Sequence, residues 1–313
     1  MLPFLLRRIG AGLVLVVVVT AITFFMTYGA GIPVARNILG PSAGEDQVAA
    51  LNHRLGLDQP LLEQYWTWVT GVLHGDLGTS YFTNQPVGDA LSSRLPVTLS
   101  VVLVACAITV AISAALGIAS AARGGIVDTV LQAISTIAYV FPAIVLGIVM
   151  VYFFAINLGW LPATGYVEFA DSPGRWFTSI LLPAIVLSIG GIAALAAQIR
   201  GALIDELSRE YVRTLRSRGV SERKILFKHA LRNASSPALT TFSLQFISLF
   251  GAALFIEKIF ALPGFGTYGF NATLQGDLPS MLGVSLFSVG LVVVVNLAVD
   301  VAGGFLNPKA RVA

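Results

Sequence analysis

Apolar residues fall in six long stretches of this chain, and none of the six contains a charged side chain. A helix needs about 20 mostly apolar residues, rising about 1.5 Å each, to cross roughly 30 Å of hydrocarbon. The six stretches are residues 9–35, 95–122, 129–167, 176–199, 233–256 and 278–299. The pattern therefore predicts an all-α membrane protein with six transmembrane helices.

The third stretch is longer than one crossing requires. Its length accommodates a helix followed by a loop, and the run Asn157-Leu-Gly-Trp-Leu-Pro162 marks the expected exit from the membrane. Trp160 suits that position because tryptophan is enriched at membrane–water interfaces.

Composition supports the same class of protein. Hydrophobic residues make up 56% of the chain and charged residues 11%, whereas about a quarter of the residues in ordinary globular domains are charged. The mean hydropathy is +0.83. The net charge of +3 does not indicate nucleic-acid binding, because the positive residues are segregated by loop. The single cysteine, Cys106, excludes an intrachain disulfide.

The distribution of Lys and Arg predicts the orientation in the membrane. With a cytoplasmic N-terminus, the cytoplasmic side holds fourteen of these residues and the other side five, which are Arg36, Arg54, Arg94, Arg175 and Lys258. Short cytoplasmic loops carry the excess of positive charge. Both termini and residues 200–237 are therefore expected in the cytoplasm.

The segment between the first two apolar stretches is too long for a simple connection. Pro60 suits the first turn of a helix, and an apolar face at helical spacing follows it: Leu61, Leu62, Tyr65, Trp66 and Val69. Aromatic residues at a membrane edge favour an interfacial anchor. Contact with an external partner is the alternative interpretation.

These features divide the chain into four parts. We expect an N-terminal transmembrane helix (1–35), an extracytoplasmic segment with short helices (36–94), a five-helix core (95–306) and a cytoplasmic tail (307–313). The core includes residues 200–237, which we call the central loop.

The central loop concentrates charge between apolar neighbours. It contains nine of the nineteen Lys and Arg residues and four acids. One apolar stripe recurs along it at four-residue spacing, which predicts a single amphipathic helix: Leu203, Leu207, Tyr211 and Leu215. Gly219 should end that helix, since glycine accepts the positive φ common at helix C-termini.

A second short helix should follow the glycine bend. Ser221 is its expected N-cap, and Pro237 is expected to begin the next membrane span. A bent, rigid loop of this kind favours docking to a partner protein. Two simpler interpretations remain open: a basic segment resting on anionic lipid, and arginines that only enforce topology.

The chain lacks the motifs of catalytic and metal centres. It has no Gly-x-x-x-x-Gly-Lys-Ser/Thr phosphate loop, no His-Glu-x-x-His and no Cys-x-x-Cys. We therefore predict no catalytic residue, no metal site and no nucleotide hydrolysis by this chain alone. Four polar residues within the apolar stretches are candidates for a translocation path, with interhelical hydrogen bonding as the alternative: Tyr139, Gln198, Gln245 and Asn296.

Several segments of the sequence resemble a known family of membrane proteins. The run from Glu210-Tyr-Val-Arg-Thr-Leu-Arg-Ser-Arg-Gly219 to Asn233 is similar to the cytoplasmic coupling loop of binding-protein-dependent ABC importer permeases, in the dipeptide, oligopeptide and nickel branch. Further segments resemble the "B" permease of that branch: Leu55-Gly-Leu-Asp-Gln-Pro, His74-Gly-Asp-Leu-Gly-Thr-Ser-Tyr81, Arg94-Leu-Pro-Val-Thr-Leu99, Glu257-Lys-Ile-Phe-Ala-Leu-Pro-Gly-Phe-Gly266 and Asn307-Pro-Lys.

The resemblance implies a type I ABC importer permease fold and a set of partners. These would be a second permease in a heterodimer, two cytoplasmic ATP-binding subunits that carry ATP and Mg, and an extracytoplasmic solute-binding protein. Membrane lipid is a further expected contact and nucleic acid is not. The location implied is the bacterial cytoplasmic membrane, which the chain crosses several times.

The resemblance also implies roles for particular residues. The expected ATPase-coupling residues are Glu210, Tyr211, Arg213, Thr214, Leu215, Arg216, Arg218, Gly219, Val220 and Ser221. The family's Glu-Ala-Ala triplet is absent, and Arg213-Thr-Leu stands in its place. The expected external rim, which faces the binding protein, comprises Glu257, Phe260, Pro263, Gly264 and Gly266.

The function implied is ATP-driven import. The chain would form half of a translocation pathway for di- or oligopeptides, as a non-catalytic subunit. Nickel chelates, glutathione and haem are alternative cargoes for the same machinery. A stand-alone secondary transporter or channel is the alternative from another class, which the scarcity of charge within the apolar stretches disfavours.

Overall fold

The computed structural model describes residues 2–29 and 31–306, and the regular structure within them is helical. The α-helices are α1 (Leu2–Gly29), α2 (Val34–Leu39), α3 (Glu45–Arg54), α4 (Leu61–Leu73), α5 (Val87–Arg123), α6 (Gly125–Val140), α7 (Ala143–Met150), α8 (Pro173–Leu207), α9 (Glu210–Ser217), α10 (Glu222–Lys224), α11 (Leu231–Ile259), α12 (Phe265–Gln275) and α13 (Leu278–Leu306). Two π-helical segments, Val151–Asn157 and Ile225–Ala230, complete the set. The predicted all-α class is confirmed.

Five of these helices contain a segment long and apolar enough to cross a membrane. The segments are Arg7–Gly29, Val87–Arg123, Pro173–Leu207, Thr241–Ile259 and Leu278–Val299. They correspond to five of the six predicted stretches. The charge-free criterion succeeds because a charged group in the hydrocarbon core of the membrane is costly.

The third predicted stretch does not form one long helix. Helix α6 ends at Val140, Phe141 is extended (φ −72°, ψ 128°), and α7 begins after Pro142. Proline disfavours the helical conformation in the residue before it, which explains the break. The apolar helix that follows is short, Ala143–Asn157. Its end at Asn157 agrees with the predicted exit point.

The first predicted helix also ends earlier than expected. The prediction of 1–35 is wrong at its C-terminal boundary, because α1 stops at Gly29 and α2 begins at Val34. Gly31 lies between them with φ +62°, a conformation that glycine adopts without steric cost. The tail 307–313 lies outside the described residues.

Two compact units are distinguishable within the described residues. One comprises residues up to 97 together with 263–294, and the other comprises 98–262 with the residues from 295 onward. The division into four parts made from the sequence stays a prediction.

Aromatic residues form the core of the first unit. Phe24, Leu278 and Leu282 are buried, and Tyr28, Tyr65, Trp68 and Tyr81 pack against them. The Tyr65 hydroxyl lies 2.9 Å from the Thr20 hydroxyl, so α4 is hydrogen-bonded to α1.

The expected helix after Pro60 is confirmed as α4, but its inward face was only partly identified. Tyr65 and Trp68 point inward, whereas Leu62 and Trp66 are 73% and 66% exposed. A stripe at three- and four-residue spacing admits two neighbouring faces on a short helix, so the apolar pattern alone did not separate them. The exposed pair is the part of α4 available to lipid or to a partner.

Buried Asp277 organises the loop that precedes α5. Its carboxylate accepts hydrogen bonds from the Ser80 hydroxyl (2.5 Å), the Ser280 hydroxyl (2.7 Å) and the Tyr81 backbone N–H (3.0 Å). Burial, followed by the charge of Asp277, raises the pKa of Tyr81 to about 12, so that phenol stays neutral. A buried carboxylate needs such partners, because an unpaired buried charge is costly.

Helix α8 is the centre of the second unit. In its most apolar 18-residue window 61% of the residues are buried, against 39% or less in the other four spanning helices. Its residues Leu195, Ile199 and Leu203 pack against Ala230 and Ala234. This one helix therefore runs from the packed core directly into the central loop.

Gly117 permits close approach between α5 and α8. A Cβ atom at this position would lie 2.9 Å from the Ala196 carbonyl oxygen and 2.9 Å from Ile199 Cβ. Because one of these contacts is backbone, α8 itself would have to move. Small residues at such contacts let helices approach in lipid, where packing drives association.

We expect Gly117→Ala to destabilise the protein and Gly251→Ala to leave it unchanged or slightly more stable. A Cβ at Gly251 meets nothing within 4 Å, and alanine favours a helix over glycine by about 1 kcal/mol. Overpacking at Gly117 should cost about 1–3 kcal/mol. Temperature-dependent loss of monodisperse protein in detergent measures both variants, and equal behaviour of the two would contradict the packing described.

Candidate functional site

The central loop contains a break that the sequence pattern did not show. The predicted single helix is wrong, because α8 ends at Leu207 and α9 begins at Glu210. Ser208 donates its hydroxyl proton to the Asp205 carbonyl at 2.7 Å, and Arg209 is extended (φ −69°, ψ 153°). Serine bonds of this kind compete with helical hydrogen bonds and favour termination.

The break changes which residues of the loop are buried. Val212 is fully buried in α9, whereas Tyr211 and Leu215 of the predicted stripe are half-buried. Ile225 and Leu203 are also fully buried. The loop therefore has buried positions of its own, and its Leu203 and Ala230 belong to the core cluster that α8 forms.

Gly219 forms the predicted bend. Its φ is +74°, its N–H donates to the Arg216 carbonyl at 2.9 Å, and the Val220 N–H donates to the Leu215 carbonyl at 3.1 Å. These two bonds make a Schellman motif, which satisfies the last carbonyls of a helix and requires a left-handed residue. The glycine is thus needed for its backbone conformation.

An ion pair spans this bend. Arg216 Nε and Nη2 donate to the two carboxylate oxygens of Glu222 at 2.7 and 3.1 Å. The hydrogen bonds from Arg216 hold the pKa of Glu222 below its usual range. The contribution of the pair is therefore present at neutral pH and is lost only as the pH falls through that lowered pKa. Both side chains are exposed, so the pair contributes little to the free energy of unfolding. Its structural effect is local, because it links the two sides of the Gly219 bend.

A polar cluster around one buried carboxylate, which we call the loop clamp, joins the two ends of the central loop. Glu206, at the end of α8, is 7% exposed. Its carboxylate accepts from Asn233 Nδ2 at 2.9 Å and pairs with Arg209 Nε at 3.0 Å. Asn233 Nδ2 also donates to the Tyr211 hydroxyl at 3.4 Å. The clamp fixes α9 and the start of α11 to the end of α8.

Neither Glu206 nor Asn233 was predicted from the sequence as a functional residue. A signal for Glu206 existed, because Ile199, Leu203 and Glu206 lie at i, i+4 and i+7 and so share the buried face of α8. No comparable signal marks Asn233, which is 27 residues away along the chain.

The second short helix is α10, and Ser221 is its N-cap residue as predicted, although its side chain makes no capping hydrogen bond. Pro237 does not begin the next helix, because α11 starts at Leu231 and continues through residue 237. A π-helical turn at Ile225–Ala230 leads into α11 without interruption.

The ten expected coupling residues lie on α9 and the turn that follows it, and none of them is buried. Seven are exposed and three are half-buried: Glu210, Arg213, Thr214, Arg216, Arg218, Gly219 and Ser221 are exposed, and Tyr211, Leu215 and Val220 are half-buried. Phe227 is 56% exposed on the same loop. An exposed phenylalanine among arginines is typical of a contact surface.

The four candidate path residues have different surroundings. Gln245 packs against Gly191, where a Cβ would lie 2.7 Å from its Nε2. Gln198 is exposed and Asn296 is half-buried. In the described part of the chain, the side chains of these three residues make no hydrogen bond. The side chain of Tyr139 lies outside the described residues.

The five expected rim residues differ in burial. Glu257 and Phe260 are each 1% exposed, and Gly264 is buried. Thr98 donates a hydrogen bond to the Glu257 carboxylate. Pro263 is exposed and Gly266 is half-buried.

Comparison with known families identifies the class of protein. Residues 107–312 match the family described as "Binding-protein-dependent transport system inner membrane component", and residues 1–102 match its N-terminal family, "Binding-prot-dependent transport system membrane comp, N-term". The chain belongs to this family of transport permeases. It is a multi-pass protein of the inner membrane, and its family is that of the permease component of ABC transporters.

Individual relatives match over their full length. A putative peptide transport system permease protein of Brucella abortus (strain 2308) is 37% identical over 313 residues, which is 99% of each chain. A probable peptide ABC transporter permease protein of Sinorhizobium fredii is 36% identical, covering 98% of this chain and 99% of its own. The glutathione transport system permease protein GsiC of Salmonella typhi is 36% identical over 99% of each chain.

A solved structure has the same fold. The chain from an inward-facing MetNI methionine ABC transporter superposes with a TM-score of 0.57 at 20% sequence identity. The match covers 69% of this chain and 96% of that one. This confirms the fold of an ABC importer permease.

We expect Glu206→Ala to loosen the central loop and Asp205→Ala to have little effect. The first change removes hydrogen bonds to a buried charge, worth about 1.5–3 kcal/mol, whereas Asp205 is exposed and its side chain makes no hydrogen bond in the described residues. Backbone amide exchange in α9 and in residues 222–233 should be faster by about tenfold or more. Unchanged exchange in the Glu206 variant would show that the clamp does not hold the loop.

Proposed function

We propose that this chain is one half of the translocation pathway of an ATP-driven importer, coupled to cytoplasmic ATPase subunits by the central loop. The observation that carries the proposal is the loop itself: a rigid, bent and arginine-rich surface built on the most buried helix of the permease. Rigidity comes from the loop clamp, the Gly219 bend and the Arg216–Glu222 pair.

Six crossings with both termini inside complete the proposed topology. Five helices supply five crossings, and the sixth would be Ala143–Asn157, the short apolar helix after Pro142. At about 1.5 Å per residue, this segment needs the preceding α6 or a locally thinner bilayer to complete its path. The fourteen-to-five division of Lys and Arg supports a cytoplasmic location of the central loop.

The form of the loop favours a protein partner over the lipid surface. A helix bound to lipid lies flat with a continuous apolar face. Here the helix stops at Gly219, Val212 is turned into the chain, and the outer surface of α9 presents Arg213, Arg216 and Arg218. Phe227 adds an aromatic anchor. We therefore assign the outer surface of α9, the bend and Phe227 to the ATPase contact.

Energy for transport would come from the partners. The chain has no phosphate loop, so ATP and Mg are assigned to two ATP-binding subunits. A second permease would complete a heterodimer, and an extracytoplasmic solute-binding protein would deliver the cargo. The exposed face of α4, with Leu62 and Trp66, is available to that protein or to lipid. Of the expected rim, Pro263 and Gly266 are accessible and retain that assignment.

Peptides are the cargo we propose. The Brucella and Sinorhizobium relatives are named as peptide permeases. Glutathione is the second candidate, because a relative of similar identity is named as its permease. Within the chain, Gln198 and Asn296 keep their assignment to the path, since neither is engaged in a hydrogen bond within the described residues. Gln245 is better explained as packing at Gly191.

Gly219→Val should uncouple ATP hydrolysis from transport in the purified complex. Valine at φ +74° is strained by about 1–3 kcal/mol, so the bend must rearrange. We expect substrate-stimulated ATP hydrolysis to fall while the protein remains folded. Gly201→Val is the matched control, because Gly201 has ordinary helical φ and a Cβ there meets nothing within 4 Å. Unchanged stimulation in the Gly219 variant would count against docking through this bend.

A further inference from the structure

A second polar cluster lies on the helix that leads into the central loop. Arg200 of α8 pairs with Asp128 of α6: its Nε donates to Asp128 Oδ1 at 2.5 Å, and its Nη2 donates to Oδ2. Ser120 of α5 and Gln132 of α6 also donate to Oδ1. We call these four residues the polar tie. It connects three helices through one carboxylate.

The polar tie is better shielded than an ordinary surface ion pair. The exposed fractions of the Arg200 and Asp128 side chains are 27% and 15%. A bidentate arginine–carboxylate pair has fixed geometry, and its hydrogen bonds are charge-assisted. Asp128 also lies in the first turn of α6, where a negative charge is favoured by the helix dipole. Breaking such a pair from one side is costly, because the remaining charge is left without a partner.

Beside the polar tie, α6 is not tightly packed. A cavity of about 280 Å³ lies among α5, α6 and α8, and its lining includes Gly117, Leu131, Ser135, Ala197 and Arg200. Tightly packed helices leave few voids larger than a water molecule. Beside the ion pair, this space therefore leaves room for α6 to shift relative to α8.

The position of Arg200 connects the tie to the loop. Arg200 and Glu206 lie on the same helix, six residues apart, and Glu206 belongs to the loop clamp. That spacing corresponds to about 9 Å along a helix. One rigid element thus carries a clamp to the central loop and a tie to α6.

We propose that Asp128 and Arg200 are positioning residues that transmit movement of the central loop to α6. The inference rests on the proposed function, since it assumes that ATPase subunits move the loop. When α8 moves with the loop, the tie draws α6 with it, and the adjacent cavity allows that shift without a clash. Without the tie, α8 moves and α6 does not follow.

The first test breaks the charge pair in the assembled, reconstituted transporter. Asp128→Asn should reduce the cargo moved per ATP hydrolysed by about tenfold, with assembly and basal ATP hydrolysis retained. The double variant D128R/R200D should recover part of that ratio, because the ion pair is restored while the dipole of α6 opposes a positive charge at this position. Glu45→Gln, which breaks the exposed Arg36–Glu45 pair, is the control and should behave as wild type.

The amount of cargo moved per ATP hydrolysed distinguishes a failure of this inference from a failure of the proposed function. A purely structural role would lower the amount of assembled complex and leave the ratio of the assembled fraction unchanged, which would overturn the inference. A wild-type complex without coupled ATP hydrolysis would overturn the proposed function itself. If the wild-type complex couples ATP hydrolysis to transport and the Asp128→Asn variant moves as much cargo per ATP, only the inference about the polar tie is overturned.

A second test does not depend on the charge variants folding well. In a Cys106→Ser background, D128C/R200C can be joined by a short bifunctional thiol reagent. If the polar tie transmits movement, the cross-linked protein should move more cargo per ATP hydrolysed than the same variant before cross-linking. Loss of transport on joining would show that α6 and α8 must separate, and would overturn the proposal.

Discussion

The structure of the central loop depends on one buried charge, the carboxylate of Glu206. Burying it is tolerated only because Asn233 and Arg209 supply hydrogen-bond donors, and these lie on opposite ends of the loop. Satisfying one carboxylate therefore fixes where the chain leaves α8 and where it returns. The Gly219 bend and the accessible arginines of α9 have a defined position because these ends are fixed.

Helix α8 connects the central loop to the other helices of the second unit. Its buried face packs in the core of the second unit, Arg200 ties it to α6, and Glu206 clamps it to the loop. Gly117 allows α5 to approach it closely. A force on the outer surface of α9 would thus reach several helices through one rigid element, as the permease of an ATP-driven importer requires.

The sequence pattern predicted those features that depend on one residue or one continuous segment. Charge-free length identified five spanning helices because hydrocarbon excludes charge from each of them separately. Gly219 was recognisable because positive φ is a property of one residue. The break at Ser208 and the burial of Val212 were not, since they depend on how α9 packs against the rest. The clamp, the polar tie and the Ser80–Asp277 bond join residues 27, 72 and 197 positions apart. Such pairs are set by tertiary structure, which periodicity does not encode.

The central claim is that this permease works through partner ATPases. The most direct measurement is purification of the tagged chain from native membranes in mild detergent, with identification of the co-purifying subunits and transport assays in liposomes. We expect a stable complex with a second permease and two ATPases that contain phosphate loops, and ATP-dependent uptake by that complex. Full cargo transport by this chain alone, without ATPase subunits, would contradict it.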